Sequence, residues 1–119
     1  METEQWVRTI RKQMKAAETY RKHFEPAIAT LATILDARDA VYDEFLADGA
    51  EFIIERRSDR GAVNMAKNPQ LTVWNELNTS ALAYWRDLGL TPAGLKRIDE
   101  KAMKQKRQSS LEKALKELG

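Results

Sequence analysis

Residues 74–98 read WNELNTSALAYWRDLGLTPAGLKRI. Apolar side chains recur at helical spacing as far as Leu88, the pattern stops at Gly89, and a new helix restarts at Thr91-Pro92. A threonine at an N-cap accepts a hydrogen bond from an otherwise orphan backbone N–H, and proline suits the first helical position, where no N–H is needed. Two helices joined by so short a turn meet at a steep angle, and the second presents Lys96 and Arg97. That is the outline of a helix-turn-helix whose second member is basic.

Working outward, the helix before the turn starts at Asn68-Pro69 and carries Leu71, Trp74, Leu77, Ala81, Trp85 and Leu88 on its apolar face. Trp74 and Trp85 lie about three turns apart on one side. Such a pair could stack nucleic-acid bases, but aromatic side chains dominate core energetics and core packing is the simpler reading. The helix after the turn places Leu95, Ile98 and Ala102 inward and Arg97, Lys101 and Lys104 outward. The run KQKRQSS then breaks the apolar pattern. Ser109 and Glu112 have capping-box spacing, which predicts a short separate helix bearing Leu111, Ala114, Leu115 and Leu118.

Toward the N-terminus, a first helix is expected over residues 3–23, with Val7, Ile10, Met14, Ala17 and Phe24 at core spacing. A second, over residues 26–48, carries Ile28, Leu31, Leu35, Tyr42 and Phe45, with Ile34 and Val41 widening the stripe. A tight junction at Glu25-Pro26 makes the two an antiparallel hairpin. Between Gly49 and Asn68 the period changes. Residues 51–56 (EFIIER) and 62–65 flank Ser58-Asp59-Arg60-Gly61, a turn composition, so a short β-hairpin or an extended loop is expected there. Two strands alone are marginally stable and need a neighbour.

The 119 residues make one domain with a small core. It divides into a hairpin at 3–48, a loop or β-hairpin at 49–68, a helix-turn-helix-like region at 69–108 and a C-terminal helix or tail at 109–119. The fold class expected is all-α. With 43% hydrophobic and 32% charged residues but five glycines and three prolines, the chain reads as folded rather than disordered. It has no cysteine, hence no disulfide framework and no thiolate metal site. No apolar run is long enough to span a bilayer and METEQWVRTIRKQ holds no signal-peptide core, so a soluble, cytoplasmic protein without a membrane partner is expected.

A net charge of +2 conceals segregation. Residues 1–24 hold six basic and three acidic side chains, residues 25–55 one and eight, residues 56–70 four and one, and residues 92–119 eight and four. A symmetric assembly that aligned the basic segments would be a far stronger polycation than one copy, because the field sums.

Constellations for chemistry are missing from the sequence. There is neither a GxxxxGK[ST] loop nor a GxGxxG to cradle a nucleotide. His23, the only histidine, has no obvious partner as a general base. Asp36, Asp39 and Asp43 share a helical face and could hold a divalent ion, but a solvated face, or pairing with Arg8, Arg11, Lys15 and Lys22, accounts for them more simply. No catalytic residue, metal or cofactor is therefore assigned. The basic residues say more: Arg56, Arg57, Arg60 and Lys67 cluster around the loop, and Lys96, Arg97, Lys101, Lys104, Lys106 and Arg107 follow the Thr-Pro signal. Phosphate binding needs such side chains on exposed elements. Arg97, Lys101, Lys104, Lys96, Arg56, Arg57 and Arg60 are the DNA-binding candidates. Gly94 counts against this, since it weakens a recognition helix by roughly 1 kcal/mol relative to alanine.

The wording over residues 68–98, with Asn68-Pro69, the tryptophan-bearing helix and Leu88-Gly89-Leu90-Thr91-Pro92, resembles the small terminase subunits of tailed bacteriophages. The resemblance weakens through the first helices and fades after Lys101. It implies a non-catalytic helical protein that forms a homo-oligomeric ring in the bacterial host cytoplasm. Such a ring binds the packaging start site on concatemeric double-stranded viral DNA. It also recruits and regulates the large terminase subunit, which carries the ATPase and nuclease. No DNA contact carries over, because the family has no short contact motif. The ring would use the hairpin of residues 3–48, whose stripes look too wide for one partner. The large subunit would meet the strip Leu111, Leu115 and Leu118, unless those leucines fold back on the preceding helix. Two other readings compete: a dimeric helix-turn-helix transcription regulator, and a helical assembly or adaptor protein that does not bind DNA.

Overall fold

The computed structural model describes residues 1–118. The chain runs through α1 (Thr3–Ala16), a 3-10 turn (Lys22–Phe24), α2 (Glu25–Ala47), β1 (Ile53–Arg57), β2 (Val63–Lys67), α3 (Pro69–Asp87) and α4 (Pro92–Leu118). It is mainly helical with one two-stranded antiparallel sheet, the class expected with the hairpin in its β form.

The helices start where the sequence places breakers. Asn68 caps α3, its Oδ1 accepting from the Gln70 N–H at 3.0 Å, and Pro69 follows in the first turn. Thr91 caps α4, its Oγ1 accepting from the Gly94 N–H at 3.1 Å. The first three helices end in one motif, in which the residue two past the cap donates back to a carbonyl in the last turn. These bonds run from Thr19 to Met14, Ala50 to Phe45 and Leu90 to Trp85, each 2.9 Å. Gly49 and Gly89 take the left-handed position in α2 and α3, as expected. In α1 Glu18 takes it, at φ 59°. The first helix thus ends at Ala16 rather than near His23, a stop that no glycine or asparagine announces.

α1 lies antiparallel on α2. Near one end Asp36 accepts from the Thr3 N–H and hydroxyl at 3.1 and 2.7 Å. At the other Arg11 donates to both oxygens of Glu25 at 2.9 Å. α3 runs antiparallel along α2, with Gln70 donating to Asp48 at 2.7 Å and Trp74 against Tyr42 at 5.9 Å between ring centroids. α2 is thus flanked on both sides within one chain, and that accounts for its wide stripe. The half-buried Ile34 and Val41 need no second subunit. Ile10, Met14, Ile28, Leu31 and Leu35 are fully buried between the helices, joined by Ala81 and Leu88 of the α3 segment. Full burial of each large side chain is worth about 1.5–3 kcal/mol.

Two pieces project from this body. The β-hairpin is held at its base by Asn68, whose N–H donates to the Phe52 carbonyl and whose Nδ2 donates to the Glu51 carbonyl, both at 2.9 Å. Phe52 meets Phe45 edge-on. Helix α4 continues unbroken to Leu118, so the separate Ser109-capped helix does not form. No glycine or proline interrupts residues 95–118, and two serines cost a helix only a few tenths of a kcal/mol each. From Asp99 onward every side chain described on α4 is exposed. The molecule extends 83 × 28 × 20 Å with a radius of gyration of 22.1 Å, where a compact chain of this length would have about 13–14 Å.

Candidate nucleic-acid interface

The junction of α3 and α4 is built on two glycines. A Cβ on Gly94 would stand 2.0 Å from the Arg86 carbonyl oxygen, so the first turn of α4 rests directly on the last turn of α3. A Cβ on Gly89 would meet Ile98 at 2.5 Å and Thr19 at 3.1 Å, and Gly89 has φ 75°. The residue that counts against a recognition helix on propensity alone is therefore what lets the two helices touch. The segment after α1 is drawn into the same junction through the buried Thr19.

Where these three segments meet, they leave an open cleft of about 420 Å³. Phe24, Ile98 and Ala102 supply apolar lining, Arg21, Arg86, Arg97 and Lys101 supply cations from three elements, and Asp87 is the single acid. Arg97 and Lys101 are two of the sequence candidates. Arg21 and Arg86 are additions. Neither stood out, because Arg21 sat in a stretch read as helix and Arg86 lies on the helix before the turn, outside the two basic groups. Their common signal is position, each beside a helix end that the fold brings to the junction.

The remaining candidates divide. Lys104 follows Arg97 and Lys101 on the same side of α4, by the helical spacing of three and four. Lys96 points elsewhere and lies 4.0 Å from Glu100, both well exposed. Arg56 and Arg57 project from opposite faces of the hairpin, paired with Asn64 and Val63, and Arg60 sits in the turn closed by Ser58 and Ala62. The hairpin joins the start of α3, whereas the cleft lies at its end. Nineteen residues of helix separate them, about 28 Å. The structure makes two basic patches, not one.

Other expectations resolve locally. Trp85 packs on the core and Trp74 tilts against Tyr42, so neither tryptophan forms an open stacking platform. Asp39 accepts from Trp6 Nε1 at 3.2 Å and from Arg38, and faces the N-terminal amine at 3.6 Å. With Asp36 on Thr3, these carboxylates anchor the start of α1 rather than pairing with Arg8, Arg11, Lys15 or Lys22. Arg11 instead holds Glu25, which also accepts from the Tyr20 hydroxyl at 2.5 Å. The hydrogen bonds from Arg11 and Tyr20 pull the Glu25 carboxyl down to about 2. His23 stacks edge-on to Phe24. Among the described residues no cluster of three His, Asp or Glu side chains is arranged to hold a metal ion, and no helix is long and apolar enough to cross a membrane. Leu111, Leu115 and Leu118 are exposed on α4 and do not fold back on α3.

Two helices joined at a glycine junction, beside a cleft lined by four cationic side chains and one acid, define the general class: a mainly helical protein with a concentrated positive surface. A model of the family described as phage terminase, small subunit, matches residues 3–117. With nearly the whole chain covered, the protein belongs to the phage terminase small-subunit family. No curated protein and no solved structure shows a significant similarity to it.

Proposed function

We propose that the protein binds viral double-stranded DNA as the non-catalytic component of a phage packaging machine, and that it positions the large terminase subunit there. Family membership supports the packaging role. The observation that carries the DNA reading is the cleft, where Arg21, Arg86, Arg97 and Lys101 converge on the first turns of α4. Cations from three elements held at one junction suit a phosphodiester backbone, whose contacts fix position without reading sequence. Lys104 extends the track along α4, and Arg56, Arg57 and Arg60 form a second contact. The working form is a homo-oligomeric ring in the host cytoplasm, because many weak phosphate contacts made together give useful affinity.

The test is the salt dependence of binding to a long duplex. Each phosphate neutralised contributes about −0.9 to the slope of log affinity against log salt. Replacing Arg97, Lys101 and Lys104 together by alanine should flatten the slope and leave the fold intact by circular dichroism. The pair Arg21→Ala and Arg86→Ala should do the same. An unchanged slope in both would move the DNA surface elsewhere, first to Arg8, Lys12 and Lys15 on α1.

A further inference from the structure

Helix α4 has two apolar faces on nearly opposite sides. At about 100° per residue, Leu95, Ile98 and Ala102 group together, the first two half-buried against the body and the exposed Ala102 lining the cleft. Met103, Leu111, Ala114 and Leu118 form a second group about 150° further round, flanked by Leu115. Every one of this second set is exposed. Single helices of this length without a packed face are marginal in water, so the projecting half of α4 is built to be covered. Its own body does not cover it.

The charge around the strip narrows the occupant. Of the charged side chains in residues 103–118, only Lys104 and Arg107 share the face of the strip, Arg107 at its centre, while Lys106, Lys113, Lys116, Glu112 and Glu117 lie about 80° or more from that centre. The matching surface lies on the same chain. The outward row of α2, away from α1 and α3, is Thr30, Thr33, Ala37, Ala40, Glu44 and Ala47, all exposed and spaced alternately by three and four. Small side chains there allow close helix approach, and Asp43 and Glu44 edge the row with carboxylates. The row spans roughly 26 Å and the projecting arm roughly 23 Å at 1.5 Å per residue. Within one chain the strip touches nothing, so the arm's target is another molecule.

We propose that the projecting half of α4 docks on the outward face of α2 of a second copy, leucines over alanines and the Lys104 and Arg107 side chains beside Asp43 and Glu44. The contact joins two different surfaces, so each subunit gives an arm to one neighbour and receives one from the other, the head-to-tail arrangement that forms a ring when its rotation closes. The inference rests on the assembly reading above. It moves the subunit contact from the α1–α2 pairing to the far side of α2, and gives the leucine strip a neighbouring copy instead of the large subunit.

Charge reversal with complementation tests it, using full-length protein and light scattering at micromolar concentration. Wild type should be a closed oligomer. Lys104→Glu with Arg107→Glu on the arm should shift assembly at least tenfold to higher concentration, and Asp43→Lys with Glu44→Lys on α2 should do likewise. An equimolar mixture of the two variants should reassemble, because each arm again faces opposite charge. Circular dichroism should show both variants folded, since none of these side chains is in the core. Two weakened variants whose mixture stays dissociated would overturn the proposal. So would oligomers that survive both the arm reversal and Leu111→Ser with Leu115→Ser. If those surviving rings fail to bind the large subunit, the ring reading stands and the arm belongs to that partner. A monomeric wild type would sink the ring reading and this inference together.

Discussion

Gly94 shows how much a single missing methyl group decides. Alanine there is a better helix former, yet its Cβ would fall on the backbone of Arg86, which has no flexible end to move aside. Gly94→Ala is expected to destabilise the protein by about 1–3 kcal/mol, the usual range for overpacking. It should also weaken DNA binding by prising α4 from α3. Denaturant unfolding and the salt slope measure the two effects; a stabilised Gly94→Ala variant would mean the helices do not touch there. A second residue-level effect follows from Glu25. Its folded-state carboxyl, held by Arg11 and Tyr20, ionises at about 2 against an ordinary 4.5. A depressed carboxyl contributes stability that is fully present above the ordinary value and is lost as pH falls toward 2. Wild type should therefore lose stability over that interval more steeply than Glu25→Gln. Parallel acid-unfolding curves would show that the cluster is too solvated to matter.

The hairpin and α4 behave as attachments to a body formed by α1, α2 and α3. Asn68 is the hinge pin of the first, capping α3 while donating to two carbonyls at the hairpin base. Asn68→Ala should cost about 1 kcal/mol through the lost cap alone. Amide exchange in Ile53–Arg57 and Val63–Lys67 should rise sharply, while Ile28 and Leu31 stay protected. Because the hairpin and the cleft are about 28 Å apart along α3, alanine substitutions at Arg56, Arg57 and Arg60 should add to those at Arg97, Lys101 and Lys104 in the free energy of DNA binding, within about 0.5 kcal/mol. Strong coupling between the sets would mean that one site senses the other through the assembly.

An elongated chain with few strong sites of its own gains most from association. A variant that folds but does not assemble keeps its cleft and loses multivalency. Its apparent DNA affinity should drop by about 10²-fold or more, a difference visible in filter binding at fixed salt. On the positional role proposed above, a purified sample of the protein should show neither ATP hydrolysis nor DNA cleavage. Measured turnover in a purified sample would contradict the positional role directly.

The sequence alone determined where most helices begin and end, because those points depend on local chemistry. Proline and an Asn or Thr cap start α3 and α4, and glycine stops α2 and α3. It also showed the basic character of α4 and marked a β-hairpin or extended loop between two helix pairs. What it left open depends on contacts remote in the chain. The end of α1 rests on Glu18 in a left-handed conformation, stabilised because the buried Thr19 and the half-buried Tyr20 find partners around Gly89 and Glu25. The breadth of the α2 stripe looked like a demand for another subunit until α3 was seen beside it. Arg21 and Arg86 joined the cleft for the same reason: 65 residues apart in sequence, they become neighbours only where α4 presses on the end of α3. Local propensity and capping act over about one helical turn. Which faces meet is settled by packing across the whole chain, and no window of neighbouring residues contains it.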